Sequence, residues 1–142
     1  MLKIIPGNLL KDWVVVVVDD EDDSLTVAEI ILMEYGATVH TSTNGKEGFE
    51  IIKKAKPRLV ISDLSMPILD GWGLISLLKH DRAYSEIPVI ALTAHAMIGD
   101  RERAIANGFH NYLTKPLTVD SFMDNLLNLL LDIPELAHHL HL

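Results

Sequence analysis

Five times along the chain a short apolar run gives way to a stretch whose apolar residues recur at helical spacing. The runs read as strands at 14–18 (VVVVV), 37–42 (ATVHTS), 58–62 (RLVIS), 88–92 (PVIAL) and 109–114 (FHNYLT). The periodic stretches between and after them, about 22–35, 44–55, 71–81, 98–107 and 118–132, read as helices. Leu25, Ala28, Leu32 and Tyr35 share one face of the first helix, and Phe122, Leu126 and Leu129 one face of the last. The joints carry their own signals. Gly36 and Gly108 stand where a helix ends in a left-handed residue, Asn44 with Glu47 resembles a capping box, and Thr118 can cap the fifth helix.

The strands sort by polarity. Those at 14–18, 58–62 and 88–92 are continuously apolar, as expected where helices cover both faces of a sheet. Those at 37–42 and 109–114 are more polar and suit exposed edges. Strict alternation of strand and helix with this division predicts an α/β fold: a flavodoxin-like, doubly wound (βα)5 arrangement with a parallel five-stranded sheet in the order 2-1-3-4-5.

The runs also end in reactive polar groups. VVVVV leads into Asp19 and Asp20, RLVIS into Asp63, PVIAL into Thr93, and NYLT into Lys115. Parallel α/β sheets gather ligands outside the carboxyl ends of their strands, so the fold predicts that these side chains converge. Three carboxylates, a hydroxyl and an ammonium are the inventory of a Mg²⁺-assisted phosphoryl-transfer site built around an aspartate. Two carboxylates ~4 Å apart repel by roughly 4 kcal/mol at an effective dielectric near 20, so such a cluster calls for a cation. Lys115 adds positive charge.

Competing readings of the acidic run 19–23 are weaker. As a calcium loop it has Ser24 where glycine is needed and Ile30 where a bidentate glutamate is needed. No glycine-rich dinucleotide or phosphate-binding motif follows the first strand. A haloacid-dehalogenase-type phosphatase also uses an aspartate after a strand, but it wants a second one two residues on, where Ser65 stands. Asp22 and Asp23 read as a solvated start to the following helix. The loop 63–71 is structured, with Pro67 fixing φ and Asp70-Gly71 turning into the next helix.

Composition narrows the picture further. At 142 residues the chain suits one domain, and its net charge of −8 argues against nucleic acid as a partner. There is no cysteine, so thiolate chemistry is excluded. No apolar stretch reaches the roughly 18 residues of a membrane span, and Pro6, Gly7 and Asp12 interrupt any signal-peptide core. A cytoplasmic protein without a membrane partner is expected. The division expected is an N-terminal extension 1–13, a domain 14–132 and a C-terminal tail 133–142, whose His138, His139 and His141 read as a frayed end.

Four motifs together resemble one family. VVDDED (17–22), LVISDLSMPILDGW (59–72), IALTAHAM (90–97) and YLTKPL (112–117) are similar to the CheY-like receiver domains of response regulators in two-component and phosphorelay signalling. They occur in the family's order and spacing, over roughly 13–132. The resemblance implies that Asp63 accepts a phosphoryl group from the phosphohistidine of a sensor histidine kinase or histidine phosphotransfer protein. It implies Mg²⁺ held by Asp20, Asp63 and the backbone carbonyl of Ser65, with Asp19 acting through water. Lys115 would contact the phosphoryl oxygens, Thr93 would bond them after transfer, and Tyr112 would be the aromatic partner of that switch. Ser65 and His95 occupy positions that tune phosphoryl lifetime, and the Lys115–Pro116 bond would be cis. Such a domain is not an enzyme but a phosphoacceptor that changes its protein contacts. The expected output face is 98–107, 109–114 and 118–132, with Ile98, Arg101 and Tyr112 foremost. With no long stretch after 132, either a stand-alone regulator or a piece of a larger hybrid protein is expected. The alternative from another class is a receiver-like interaction module that works without phosphate.

Overall fold

In the computed structural model of the chain, residues 5–94 and 99–142 are described. The elements are β1 (Val14–Val18), α1 (Asp22–Glu34), β2 (Thr38–Ser42), α2 (Gly45–Ala55), β3 (Leu59–Asp63), α3 (Gly71–Lys79), β4 (Val89–Thr93), α4 (Asp100–Ala106), β5 (Asn111–Thr114), α5 (Phe122–Leu131) and α6 (Pro134–Ala137). All strand pairs are parallel, in the order β2-β1-β3-β4-β5. Every residue of β3 and β4 is buried, whereas β2 and β5 are partly exposed edges, as their polarity predicted.

The pleat divides the core in two. Val15, Val17, Leu59, Ile61, Ile90, Leu92 and Leu113 face the layer built by α1, α5 and α6. Val16, Val18, Val60, Val89, Ala91 and the half-buried Tyr112 face the α2, α3 and α4 layer. Because successive side chains alternate faces, the polar residue at each strand end inherits a side from its parity. Asp19, Asp63 and Lys115 continue the α1/α5 side; Thr93 continues the side of Ala91 and Tyr112.

Several joints match the sequence signals. Asn44 Oδ1 accepts from the Glu47 N–H at 2.9 Å, and Asp70 Oδ1 from the Gly73 N–H at 2.8 Å. Gly36 and Gly108 adopt φ of 101° and 108°, which a Cβ would disfavour. Other boundaries move. The last long helix begins at Phe122 rather than 118, because Thr118 does not cap it. Its hydroxyl contacts the Ser121 hydroxyl and accepts from the Ser121 N–H, closing a separate turn first. The strand predicted from 109 starts at Asn111, since the Phe109 N–H is used by Ala104 O to close α4. The third helix ends at Lys79, and Ile98 lies outside the described residues.

The expectation of a frayed tail is not met. Ile133 and Leu136 are buried in the α1/α5 layer together with Leu9, Leu10 and Trp13 from the start of the chain. The Trp13 indole N–H donates to His139 O at 2.9 Å, and the His141 N–H donates to Leu9 O at 3.0 Å. The Arg58 guanidinium sits 5.7 Å from the centre of the Trp13 ring. The two end segments therefore clasp each other at the amino-terminal end of the sheet.

Candidate functional site

The site forms because three neighbouring strands and the edge strand stop at the same level. β1 ends next to Asp19 and Asp20, β3 in Asp63, β4 in Thr93, and Lys115 follows β5 directly. The loop after β3 is pinned on both sides. Gly71 N–H donates to Leu64 O at 3.1 Å, and Gly45 N–H, from the start of α2, donates to Leu69 O at 2.8 Å. A Cβ at Gly71 would lie 2.1 Å from Asp63 O, so only glycine lets α3 begin against the end of β3. Between these anchors Leu69 N–H reaches back to Pro67 O at 2.8 Å, a γ-turn whose central residue Ile68 has φ 71°. A β-branched residue at positive φ is strained, and here the surrounding bonds hold it.

Asp19, Asp20 and Asp63 each offer a carboxylate oxygen within 4.8 Å of the others. Asp19 is fully buried and Asp63 nearly so, while Asp20 faces solvent. The Lys115 ammonium stands among them, 3.1 Å from Asp19 Oδ1, 3.0 Å from Asp19 Oδ2 and 3.2 Å from Asp63 Oδ2, and it contacts Glu21 as well. Thr93 is buried and borders the same cleft, of roughly 230 Å³, together with Asp20, Glu21, Asp63, Ser65 and Lys115. The Ser65 N–H donates to Asp63 Oδ1 at 3.3 Å. The Lys115–Pro116 peptide is cis.

Charge in this cluster is unevenly tolerated. Burial, then a hydrogen bond and repulsion from Asp19, push the Asp63 carboxyl above its ordinary range, against the pull of Lys115. Asp20 is raised as well, by burial and by Asp63. Burial opposes the Lys115 charge, but hydrogen bonds to Glu21 and Asp19 and the charges of Asp19 and Asp63 outweigh it, so its pKa rises. Glu21 is lowered by its bond to Lys115. The contact of Lys115 with Asp19 Oδ2 is an ion pair without hydrogen-bond geometry, and among the described residues that buried oxygen has no hydrogen-bond donor. An orphaned carboxylate oxygen beside two further carboxylates, in a set of hard oxygen donors, fits Mg²⁺.

Of the residues singled out in the sequence, Asp19, Asp20, Asp63, Ser65, Thr93 and Lys115 therefore converge. Tyr112 does not line this cleft. It lies half-buried on the α4 side of β5 and borders a groove of roughly 520 Å³ with Arg101, Asn125 and Asn128. His95 lies outside the described residues. Glu21 was missed. The legible signal was its position two residues after a buried strand-end aspartate, whose Oδ1 accepts the Glu21 N–H at 3.0 Å.

The chain is similar to known proteins. The family model described as "Response regulator receiver domain" matches residues 15–127. An uncharacterized 14.6 kDa protein of Leptolyngbya boryana is 38% identical over 103 residues, covering 72% of this chain and 79% of the relative. The polar-differentiation response regulator DivK of Brucella anthropi is 30% identical over 112 residues, covering 79% of this chain and 91% of DivK. Among solved structures, the chemotaxis response regulator CheY4 of Vibrio cholerae superposes with a TM-score of 0.77 over 83% of this chain and 98% of CheY4; at 24% identity this likeness speaks for the fold.

Proposed function

Because the chain belongs to the response-regulator receiver family of two-component signalling, we propose that it works by accepting a phosphoryl group on Asp63. The donor is the phosphohistidine of a sensor histidine kinase or a histidine phosphotransfer protein. One observation carries the reading: Asp63 Oδ2 lies 3.2 Å from the Lys115 ammonium, at the mouth of a cleft that Thr93 also borders. A carboxylate nucleophile needs open space in line with phosphorus and fixed positive charge for the equatorial oxygens.

Asp20, Asp63 and the Ser65 backbone carbonyl would hold Mg²⁺, with Asp19 acting through water, and the ion would add positive charge where the phosphoryl oxygens gather. Lys115 braces Asp63 and meets those oxygens. Thr93 supplies a hydroxyl on the opposite side of the pleat from Asp63, so a bond from it carries the event from the α1/α5 face to the side of α4 and Tyr112. The output surface is then α4, β5 and α5, where Arg101, Tyr112 and Asn125 border one groove. Ser65, and His95 beyond the described residues, tune how long the phosphoryl group stays. Residues 14–132 are the receiver unit, braced by the clasped end segments. The chemistry is confined to this chain's own aspartate, so the domain acts as a switch and not on a separate substrate. Among the described residues no helix is long and apolar enough to cross a membrane, and a cytoplasmic site of action suits a histidine-kinase partner.

Incubation with a small acyl phosphate and Mg²⁺ should add one base-labile phosphate at Asp63. Labelling of Asp63→Asn at the wild-type rate would overturn the assignment.

A further inference from the structure

Lys115 carries three N–H donors, and the three carboxylates around it take them all: Asp19 at 3.1 Å, Asp63 at 3.2 Å, and Glu21 in direct contact. The partners are not equally fixed. The side chain of Asp19 is 0% exposed, that of Asp63 8% and that of Glu21 59%. The main chain of Glu21 is tied down, since its N–H donates to Asp19 Oδ1 at 3.0 Å and its carbonyl accepts from Leu25 N–H at 3.0 Å to open α1. Only its side chain is free to leave. An exposed ion pair is ordinarily worth little, but here one member, the Lys115 side chain, is 6% exposed and sits inside the cleft.

A phosphoryl group on Asp63 brings new negative oxygens into the cleft that Glu21 borders, and they need the ammonium. None of its protons is uncommitted. Building on the phosphoacceptor reading, we infer that Glu21 is a resident counter-ion that competes with the incoming phosphoryl group for Lys115. Glu21 is the partner that gives way, because Asp19 cannot turn to solvent and Asp63 carries the group itself. Swinging out of the Glu21 carboxylate frees one ammonium donor and removes one negative charge from the approach to Asp63. Glu21 is thus a positioning residue that sets how readily the site takes up a phosphoryl-shaped anion.

The test is a beryllium fluoride titration at saturating Mg²⁺, followed by amide spectra, on the wild type and on Glu21→Gln. The half-saturating concentration should fall about threefold to tenfold in Glu21→Gln, the size expected of one solvent-facing charge a few ångströms away. The gain should vanish when the same substitution is made in a Lys115→Ala background, because the competition runs through the ammonium. An equal gain with and without Lys115 would mean general repulsion and would overturn the proposal. So would an unchanged midpoint, or a weaker Mg²⁺ midpoint in Glu21→Gln that accounts for a rise in the beryllium fluoride midpoint, which would make Glu21 a support for the metal. If neither protein forms an adduct while both stay folded, the phosphoacceptor reading fails and this one with it; an adduct of equal midpoint in both removes only the role of Glu21.

Discussion

Replacing Asp63 by asparagine should stabilise the metal-free protein at neutral pH. The direction follows from weighing the charges around it. At an effective dielectric near 20, repulsion from Asp19 at the 4.8 Å limit of the cluster costs about 3.5 kcal/mol. Asp20, facing water, adds about 1 kcal/mol at a dielectric near 80. Attraction to Lys115 at 3.2 Å returns about 5 kcal/mol at the lower dielectric. The charge interactions nearly cancel, so burial decides, and burial is the largest cause of the raised Asp63 pKa. Removing the charge while keeping the shape should therefore stabilise the metal-free fold, by the ordinary size of a single-substitution effect, on the order of 1 kcal/mol. For a chain of this size that is roughly a 2–4 °C rise in melting temperature, read by calorimetry in a chelating buffer.

The pH dependence carries the same sign. Asp63 binds its proton more tightly folded than unfolded, so its penalty is absent below the ordinary value of 3.8 and develops as pH rises through the raised one. The gap between the two proteins should close toward that lower limit. Mg²⁺ at ten times its dissociation constant should add about 1.4 kcal/mol to the wild type and less to Asp63→Asn, narrowing the gap between them. A variant that melts below the wild type in chelator would show that Lys115 outweighs burial, and the account of the cluster would be wrong.

Thr93→Ala should still take up phosphate, but amide shifts on beryllium fluoride addition should stop at the cleft and no longer reach α4 or Tyr112; shifts of wild-type reach would remove Thr93 from the switch. Gly71→Ala should cost roughly 1–3 kcal/mol or more, because its Cβ would lie 2.1 Å from Asp63 O, and denaturant melts should show it; a neutral result would mean the β3–α3 loop yields freely.

The fold was legible because each strand declared its environment. An unbroken VVVVV or LVIS run suits a sheet covered on both faces, and the polar β2 and β5 suit edges, a division that fits the order 2-1-3-4-5 found in the structure. The convergence of Asp19, Asp20, Asp63, Thr93 and Lys115 followed from that order, since parallel strands bring their carboxyl ends to one level. What could not be read were contacts without a local signal. Trp13 and His139 meet across 126 positions of sequence, and neither neighbourhood announces the other. Glu21 sits in a run of five acids where side-chain direction, not charge, separates it from Asp22 and Asp23. The left-handed Ile68 runs against its own propensity and exists because Gly45 and Gly71 anchor the loop on either side. Thr118 had the right chemistry for a cap and spent it on a turn.

The clasp of the two end segments has a topological consequence. The His141 N–H bonded to Leu9 O brings both segments together beside Pro57 and Pro88, ahead of β3 and β4, whereas the carboxylate cluster lies past the other ends of those strands. Five residues of strand, about 16 Å, separate the two poles. A short peptide bridging the clasped segments, with the chain reopened at an exposed surface loop, would give a circular permutant whose strands still stop at the same level. The carboxylate cluster should thus tolerate a break in an exposed loop away from it, because it is the sheet, not the order of synthesis, that brings its groups together.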